Sequence, residues 1–168
     1  SGAHSTTSVA WIGVVVTALL QALVGGSADM VSGAYEHTIN MVAKKQPIKA
    51  VVLQARHSSI VLLLPKDKAA KYRGGRDLKG LKIGVTAPGS STNMFVNNLL
   101  AKDGMNPTDV SIVGVGAGSG AVAALEKGEI DAISNLDPVI TKLESTGKFV
   151  AVADSRTEKG MKDIYGGD

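Results

Sequence analysis

Residues 81–102 have the sequence LKIGVTAPGSSTNMFVNNLLAK, and this stretch decides the fold. The aliphatic run at residues 81–86 predicts a buried strand. The Pro88-Gly89-Ser90-Ser91 segment predicts a turn, and residues 92–102 predict a helix that Gly104 closes. Strand, tight turn and helix in direct succession are the unit from which parallel sheets are built, so the stretch predicts an α/β protein.

The same alternation continues on both sides of this unit. Further strands are predicted at residues 28–33, 48–54, 60–64, 110–115, 131–134 and 149–153, and further helices at residues 35–45, 120–127 and 138–145. Residues 65–79 are polar and contain Gly74-Gly75, which predicts a surface connection. Strict alternation favours mostly parallel sheets with helices on both faces.

Two segments of the chain resemble each other. Residues 22–32, ALVGGSADMVS, align without gaps on residues 124–134, ALEKGEIDAIS. Each predicts the end of a helix, a glycine near the C-cap and an acidic residue that opens a strand. Because the copies are far apart in the chain, we expect one αβ unit in each of two lobes.

Composition excludes several functional classes. The 168 residues carry 18 basic and 15 acidic side chains, and a net charge of +3 is too small to indicate a nucleic-acid interface. The chain has no cysteine, which excludes disulfides, thiol nucleophiles and cysteine-ligated metals. It also contains no G-x-x-x-x-G-K-[ST] sequence and no G-x-S-x-G sequence, so a P-loop and a nucleophile elbow are excluded.

The apolar N-terminal region has two interpretations. Residues 5–28 contain no charged side chain, and residues 9–24 are mostly apolar. This length approaches the roughly 20 residues of a membrane span. Polar or flexible positions, among them Gly13, Thr17 and Gln21, interrupt the run, so we predict a buried strand followed by a buried helix. A membrane-anchored or sensory binding module is the alternative.

Candidate binding residues follow the predicted strands, because ligands of open α/β sheets bind beyond the carboxyl ends of strands. They are Gly33, Ala34, Tyr35, Glu36 and His37; Gly89, Ser90, Ser91 and Thr92; Gly118 and Ser119; and Asn135 and Asp137. Turns of glycine and serine that open helices offer N–H groups and hydroxyls to an anion. Two alternatives stay open: Ser91 or Thr92 is only an N-cap, or Asp137 only begins a helix.

Cofactor and metal chemistry have weak support in the sequence. Residues 116–121, GAGSGA, formally match the dinucleotide fingerprint. That fingerprint also needs an acidic residue at the end of the next strand, about 20 residues further on, but Asp131 stands at the beginning of its predicted strand. His37 and Glu36 could serve acid–base or metal chemistry, yet His4 and His57 have no ligand-like spacing to His37. We therefore predict no cofactor, no metal ion and no catalytic residue.

Taken together, the motifs resemble one family. Residues 22–33 with YEHT at 35–38, LKGLKIGV at 78–85 with GSST at 89–92, and ALEKGEIDA at 124–132 with Asp137-Pro138 carry the resemblance. They are similar to the nitrate/sulfonate/taurine and thiamine-pyrimidine-precursor (SsuA/NMT1-like) solute-binding proteins over residues 19–152. The resemblance implies a type-two periplasmic-binding fold, in which two α/β lobes close on a ligand.

The resemblance also implies a domain organisation. Residues 1–80 form a partial lobe one without the usual first strand and helix, residues 81–153 form lobe two, and residues 154–168 start a return segment. Residues 48–64 are the candidate connection between the lobes. Residues 33–37 line the cleft wall of lobe one, and residues 89–92 and 135–137 line that of lobe two. From the resemblance we expect the chain to be truncated at both ends compared with the family. At position 136, Leu136 stands where the family frequently has an aromatic residue.

The function that the resemblance implies is solute capture without catalysis. We expect a periplasmic or otherwise extracytoplasmic monomer that delivers a small anion, similar to a sulfonate, taurine or nitrate, to an ABC permease and its ATPase. No nucleic-acid partner is expected. A pyrimidine-precursor binding or synthesis protein is the alternative; enzymes of that kind depend on histidine, for which only His37 is a candidate.

Overall fold

The computed structural model describes residues 9–10, 16–31, 36–50 and 58–166. The chain divides into two units, Ser1–Gln54 and Ala55–Asp168. The first unit contains β1 (Val9–Ala10), α1 (Val16–Val24), β2 (Met30–Val31) and α2 (Glu36–Ala43). β1 and β2 pair in parallel, with Val9 opposite Met30. The strand and helix predicted within residues 9–24 are therefore present as β1 and α1.

In the described residues, no helix combines the length and the apolar character that a membrane crossing requires. The strand predicted at residues 48–54 is only partly described: residues 48–50 have no regular secondary structure, and residues 51–57 lie outside the described residues.

The second unit holds a five-stranded sheet with helices. In chain order its elements are β3 (Val61–Pro65), α3 (Lys66–Ala69), β4 (Lys82–Val85), α4 (Ser91–Lys102), β5 (Ser111–Gly114), α5 (Ser119–Glu126), β6 (Ala132–Asn135), α6 (Val139–Ser145), β7 (Phe149–Asp154) and α7 (Glu158–Tyr165). The strand order is β5-β4-β6-β3-β7. β4 is parallel to β5 and β6, whereas β3 is antiparallel to β6 and β7. Four of the five strands thus run in one direction and β3 alone runs in the other. A mostly parallel sheet flanked by helices confirms the predicted α/β class.

β3 is an inner strand of this sheet and is buried over its first four residues. Its residues Val61 to Leu64 are at most 1% exposed. Because side chains alternate along a strand, Leu62 and Leu64 join the core on one face, and Val61 and Leu63 join the core on the other. An uninterrupted aliphatic run is typical of a strand that is covered on both faces.

The second unit begins at Ala55, and β3 is an inner strand of its sheet. The division into two lobes at residue 80 stays a prediction. Residues 65–79 are not the simple surface connection that their polarity predicts, because Leu78 is fully buried in the core beneath α4. Gly75, in a short 3-10 helix (Gly75–Leu78), lies so close to α4 that a Cβ there would be 3.0 Å from the Cα of Leu100.

The predicted return segment packs on the second unit. In α7, Ile164 is 4% exposed and belongs to the same core as Phe95. The Asn98 side chain on α4 donates a hydrogen bond to the carbonyl oxygen of Ile164 at 3.0 Å. α7 is therefore an integral helix of the second unit.

The two similar sequence segments adopt the same turn. Gly26 and Gly128 have φ angles of 76° and 72°. Ser27 N–H donates to the Ala22 carbonyl at 2.8 Å, and Glu129 N–H donates to the Ala124 carbonyl at 2.9 Å. A left-handed glycine after the helix, with a bond back to its last turn, is the usual glycine C-cap. The resemblance between the segments thus extends to their backbone.

Asp131, the acidic residue of the second copy, joins three elements. Its Oδ2 accepts from Lys82 N–H at 2.9 Å, and its Oδ1 accepts from the Lys68 ammonium at 3.1 Å. The hydrogen bond from Lys82 is the main cause that lowers the pKa of Asp131. The carboxylate therefore fastens the start of β4 and α3 to the start of β6.

We expect Asp131→Asn to lower the free energy of unfolding by about 1 kcal/mol at neutral pH, because the carboxylate is partly exposed and its bonds are weakened by solvent. Since the folded-state pKa is lowered, this contribution is present above the unfolded pKa of about 3.9 and is lost as the pH falls through the folded value. Urea unfolding of wild type and variant across this range measures the difference. A difference that stays constant with pH would contradict the assignment, and Asp67→Asn, an exposed carboxylate on α3, is the control.

Candidate functional site

Three loops of the second unit meet at the carboxyl edge of its parallel strands. They follow β4, β5 and β6. Gly116 N–H in the second loop donates to the carbonyl of Thr86 in the first at 3.1 Å. The Asn135 amide at the end of β6 donates to the Gly116 carbonyl at 2.9 Å. The loops therefore form one hydrogen-bonded surface, which contains the site residues predicted for this part of the chain.

The first loop ends in the N-terminus of α4. Gly89 has a φ angle of 80°, which favours glycine at this position. Ser90 is the N-cap: its hydroxyl oxygen accepts from Asn93 N–H at 3.4 Å. Gly89 N–H in turn donates to the Asn93 side-chain oxygen at 2.9 Å. The sequence offers Ser91 or Thr92 as the N-cap, but the N-cap in the structure is Ser90, and Ser91 is the first helical residue.

Ser90 and Thr92 belong to a ring of three hydroxyls. Thr86 Oγ1 donates to Ser90 Oγ at 3.0 Å, Ser90 Oγ lies 2.8 Å from Thr92 Oγ1, and Thr92 Oγ1 lies 2.9 Å from Thr86 Oγ1. Ser90 is 5% exposed and Thr92 is 1% exposed. The ring satisfies these hydroxyls within the protein. Of the three predicted hydroxyl donors, only Ser91 is partly exposed.

The second loop opens α5 with small, exposed residues. Gly118 is the N-cap position and Ser119 is the first residue of the helix; both are exposed. Gly116 has a φ angle of 73°, so the turn before the helix needs a glycine. This loop lies beside the first loop and presents backbone to the same surface.

Asn135 and Asp137 hold structure at the third loop. Asn135 is fully buried, and its Oδ1 accepts from Leu136 N–H at 2.9 Å while its NH₂ group binds the second loop. Asp137 is exposed, and its Oδ1 accepts from the N–H and the hydroxyl of Thr141 at 3.0 and 2.7 Å. These bonds lower the pKa of Asp137. The carboxylate therefore caps α6, as the alternative interpretation of the sequence has it.

The candidate residues of the first unit are described only in part. Gly33, Ala34 and Tyr35 lie outside the described residues. Glu36 begins α2, and its side chain also lies outside the described part. His37 is 7% exposed on the same helix. Contacts of these residues with a ligand stay predictions.

Sequence reasoning missed Arg156, which follows β7. The last residue of β7, Asp154, pairs with Val61, as does Asn135 of β6, so Arg156 lies toward the same edge of the sheet. Its guanidinium donates to Asp154 at 2.8 and 2.9 Å and to Glu144 at 2.9 Å. These carboxylates raise the pKa of Arg156, and the guanidinium lowers that of Asp154. Applying the search beyond strand ends to the last strand would have found this residue.

A groove of about 430 Å³ on the second unit contains none of the predicted site residues. Tyr72, Gly75, Lys102 and Ile164 are among its lining residues. Burial, with Asp103 and Asp77 nearby, raises the pKa of Tyr72 to about 12. Within the described parts of the chain, no cluster of three histidine or acidic side chains could hold a metal ion.

Comparisons with known proteins give a family model and several solved structures that match this chain. The family model described as NMT1/THI5 like matches residues 14–166. A solved structure from Bordetella bronchiseptica RB50 is 57% identical, with a TM-score of 0.80, over 88% of this chain and 46% of that one. None of the curated proteins is significantly similar to the chain.

Two further structures carry functional names. The alkanesulfonate-binding protein SsuA from Xanthomonas axonopodis pv. citri, bound to MOPS, is 26% identical with a TM-score of 0.63, over 82% of this chain and 47% of that one. The periplasmic aliphatic sulphonate binding protein SsuA from Escherichia coli is 25% identical with a TM-score of 0.63, over 82% of this chain and 46% of that one. The chain thus spans a little under half the length of these proteins.

Proposed function

Because this chain belongs to the NMT1/THI5-like family, we propose that it is an extracytoplasmic solute-binding protein that captures a small oxyanion, a sulfonate or a similar group, for an ABC importer. The observation that carries the proposal is the N-terminus of α4, which lies at the carboxyl edge of the sheet and is braced by buried hydroxyls. Named relatives bind sulfonates, which supports this chemical class.

The first turn of α4 suits an anion for two reasons. A 12-residue helix concentrates positive potential at its N-terminus, and its first N–H groups have no acceptors within the helix. Ser91 adds a hydroxyl at the first helical position, where the side chain is partly exposed. Gly118 and Ser119 at the start of α5 offer further backbone and hydroxyl donors on the neighbouring loop.

We propose that neutral donors hold the anion on this unit. Arg156 is the cation that follows the last strand, but Asp154 and Glu144 compensate its charge. Asn135 and Asp137 then shape the site without touching the ligand, because their polar atoms hold the second loop and α6. For the first unit by itself, Tyr35, Glu36 and His37 stay the proposed ligand-binding residues.

The proposed partners are an ABC permease and its ATPase, and the proposed state is a monomer outside the cytoplasm. The named relatives are binding proteins, and we propose no catalytic role for this chain. Nitrate and taurine stay within the proposed ligand class, because both carry a compact oxyanion that accepts several hydrogen bonds.

Titration calorimetry with the purified chain tests the function. The panel contains ethanesulfonate, taurine, MOPS, nitrate and a hydroxymethylpyrimidine as the thiamine-precursor probe. We expect at least one oxyanion to bind and to raise the melting temperature, because a ligand at a hundred times its Kd adds about 2.7 kcal/mol of stability. Binding of the pyrimidine alone would contradict the oxyanion proposal, and binding of no probe would contradict solute capture by this chain.

A further inference from the structure

Ser134 makes a contact that the proposed site does not explain. It lies on β6 and is fully buried. Its hydroxyl donates to the carbonyl oxygen of Thr92 at 2.8 Å. Thr92 is in the first turn of α4, so this bond ties that turn directly to the strand beneath it.

Thr92 connects the same turn to a second strand. The N–H of Thr86, the first residue after β4, donates to Thr92 Oγ1 at 2.9 Å. The hydroxyl ring adds bonds from Thr92 to Thr86 and to the N-cap Ser90. The side chain and the carbonyl of one residue therefore fasten the start of α4 to the ends of both β4 and β6.

We infer that Thr92 and Ser134 are positioning residues of the anion site: they hold the first turn of α4 in the orientation that aims its N–H groups at the ligand. This inference rests on the proposed function. Thr92 is 1% exposed and Ser134 is 0% exposed, so neither side chain reaches a ligand itself. A turn that is ordered before binding loses less conformational freedom when the ligand arrives.

The hydroxyls of the ring are uncharged and have no ionisable neighbour within the ring. Their loss is therefore expected to loosen the first turn of α4 without changing the electrostatic potential at the anion site. Asn135, buried on the same strand, does the corresponding work for the neighbouring loop. On β6, Ser134 thus orders the first turn of α4, and Asn135 orders the loop after β5.

Three variants and one control separate positioning from general stability. Thr92→Val removes the hydrogen bonds of the Thr92 hydroxyl, and Ser134→Ala removes the hydrogen bond to the Thr92 carbonyl. Thr92→Ser keeps a hydroxyl at position 92. Ser155→Ala is the control, since Ser155 is also 0% exposed and its hydroxyl binds the Ile60 carbonyl at 2.7 Å, between β7 and β3. Ethanesulfonate affinity by calorimetry and amide hydrogen exchange of residues 91–95 in the ligand-free protein are measured for each.

We expect Ser134→Ala, which removes one hydrogen bond, to weaken ethanesulfonate binding about five- to tenfold. Thr92→Val removes the three contacts of the Thr92 hydroxyl and should weaken binding at least as much. Both variants should speed exchange in the first turn of α4. Thr92→Ser should restore both properties, and Ser155→Ala should change neither although it lowers the melting temperature. Unchanged exchange in Thr92→Val and Ser134→Ala would overturn the inference, as would equal loss of affinity in Ser155→Ala. If wild type binds another oxyanion of the panel instead of ethanesulfonate, the affinities are measured with that oxyanion. If wild type binds none of them, the proposed ligand class fails, while the exchange data still decide the positioning role.

Discussion

Ser91→Asp is expected to weaken the binding of a sulfonate by at least a hundredfold while leaving the free energy of unfolding unchanged or slightly higher. The aspartate charge weakens sulfonate binding but does not destabilise the fold, because it acts on the ligand and on the helix dipole in opposite ways. An aspartate in the first turn of a helix is favourable for the helix dipole, by about 0.3–1 kcal/mol. The same charge repels an anion about 4 Å away by roughly 4 kcal/mol near a protein surface.

This variant discriminates better than removal of a hydroxyl. Ser90→Ala would remove the N-cap as well as a candidate donor, so a lower affinity could reflect a frayed helix. Ser91→Asn is the matched control, because it has nearly the same shape as aspartate without the charge, and it should bind within a few-fold of wild type. Calorimetry gives the affinity, and urea unfolding gives the stability. Full affinity in Ser91→Asp would move the anion away from the start of α4.

Phe95→Ala is expected to lower the free energy of unfolding of the second unit by about 3–5 kcal/mol. Phe95 is 1% exposed on α4 and is among the largest fully buried side chains. Its ring also meets the ring of Tyr165 edge to face at a centroid distance of 6.3 Å. Its removal would leave a cavity beneath the helix that carries the candidate site.

The chain provides a matched comparison, because it has only two phenylalanines. Phe149 begins the edge strand β7 and is only half-buried, so Phe149→Ala should cost roughly half as much or less, in line with the area removed from water. Urea unfolding followed by circular dichroism measures both variants. Equal losses would show that burial on α4 does not dominate the stability of this unit.

Much of the second unit could be predicted from sequence because its signals are local. The aliphatic runs at β3, β4 and β6 and the glycines at turns specify strands and their ends within a few residues. The unit boundary could not be predicted in this way. The position of β3 between β6 and β7 depends on pairing with residues far along the chain, for which the local pattern of residues 60–64 carries no information.

The candidate site could likewise be predicted only in part from the sequence. A glycine- and serine-rich turn before a helix indicates an anion site, but the sequence gives no means to distinguish Ser90, Ser91 and Thr92. Their roles differ because Thr86 and Ser134 approach from two strands and engage Thr92, which buries one hydroxyl and leaves its neighbour partly exposed. Asn135 has a similar explanation: it follows a strand, as a ligand-binding residue would, yet its amide is needed by the adjacent loop.

The place of β3 in the sheet has a consequence for synthesis of the protein. β3 is made before every other strand of the second unit, yet it pairs only with β6 and β7, the last two to be made. While α3 to α5 emerge from the ribosome, the run VLLL at residues 61–64 has neither of its partner strands. Completion of the sheet must therefore wait until β7 has left the ribosome. During that interval, an unpaired aliphatic strand of this kind is the type of surface on which chaperones act and from which aggregation begins.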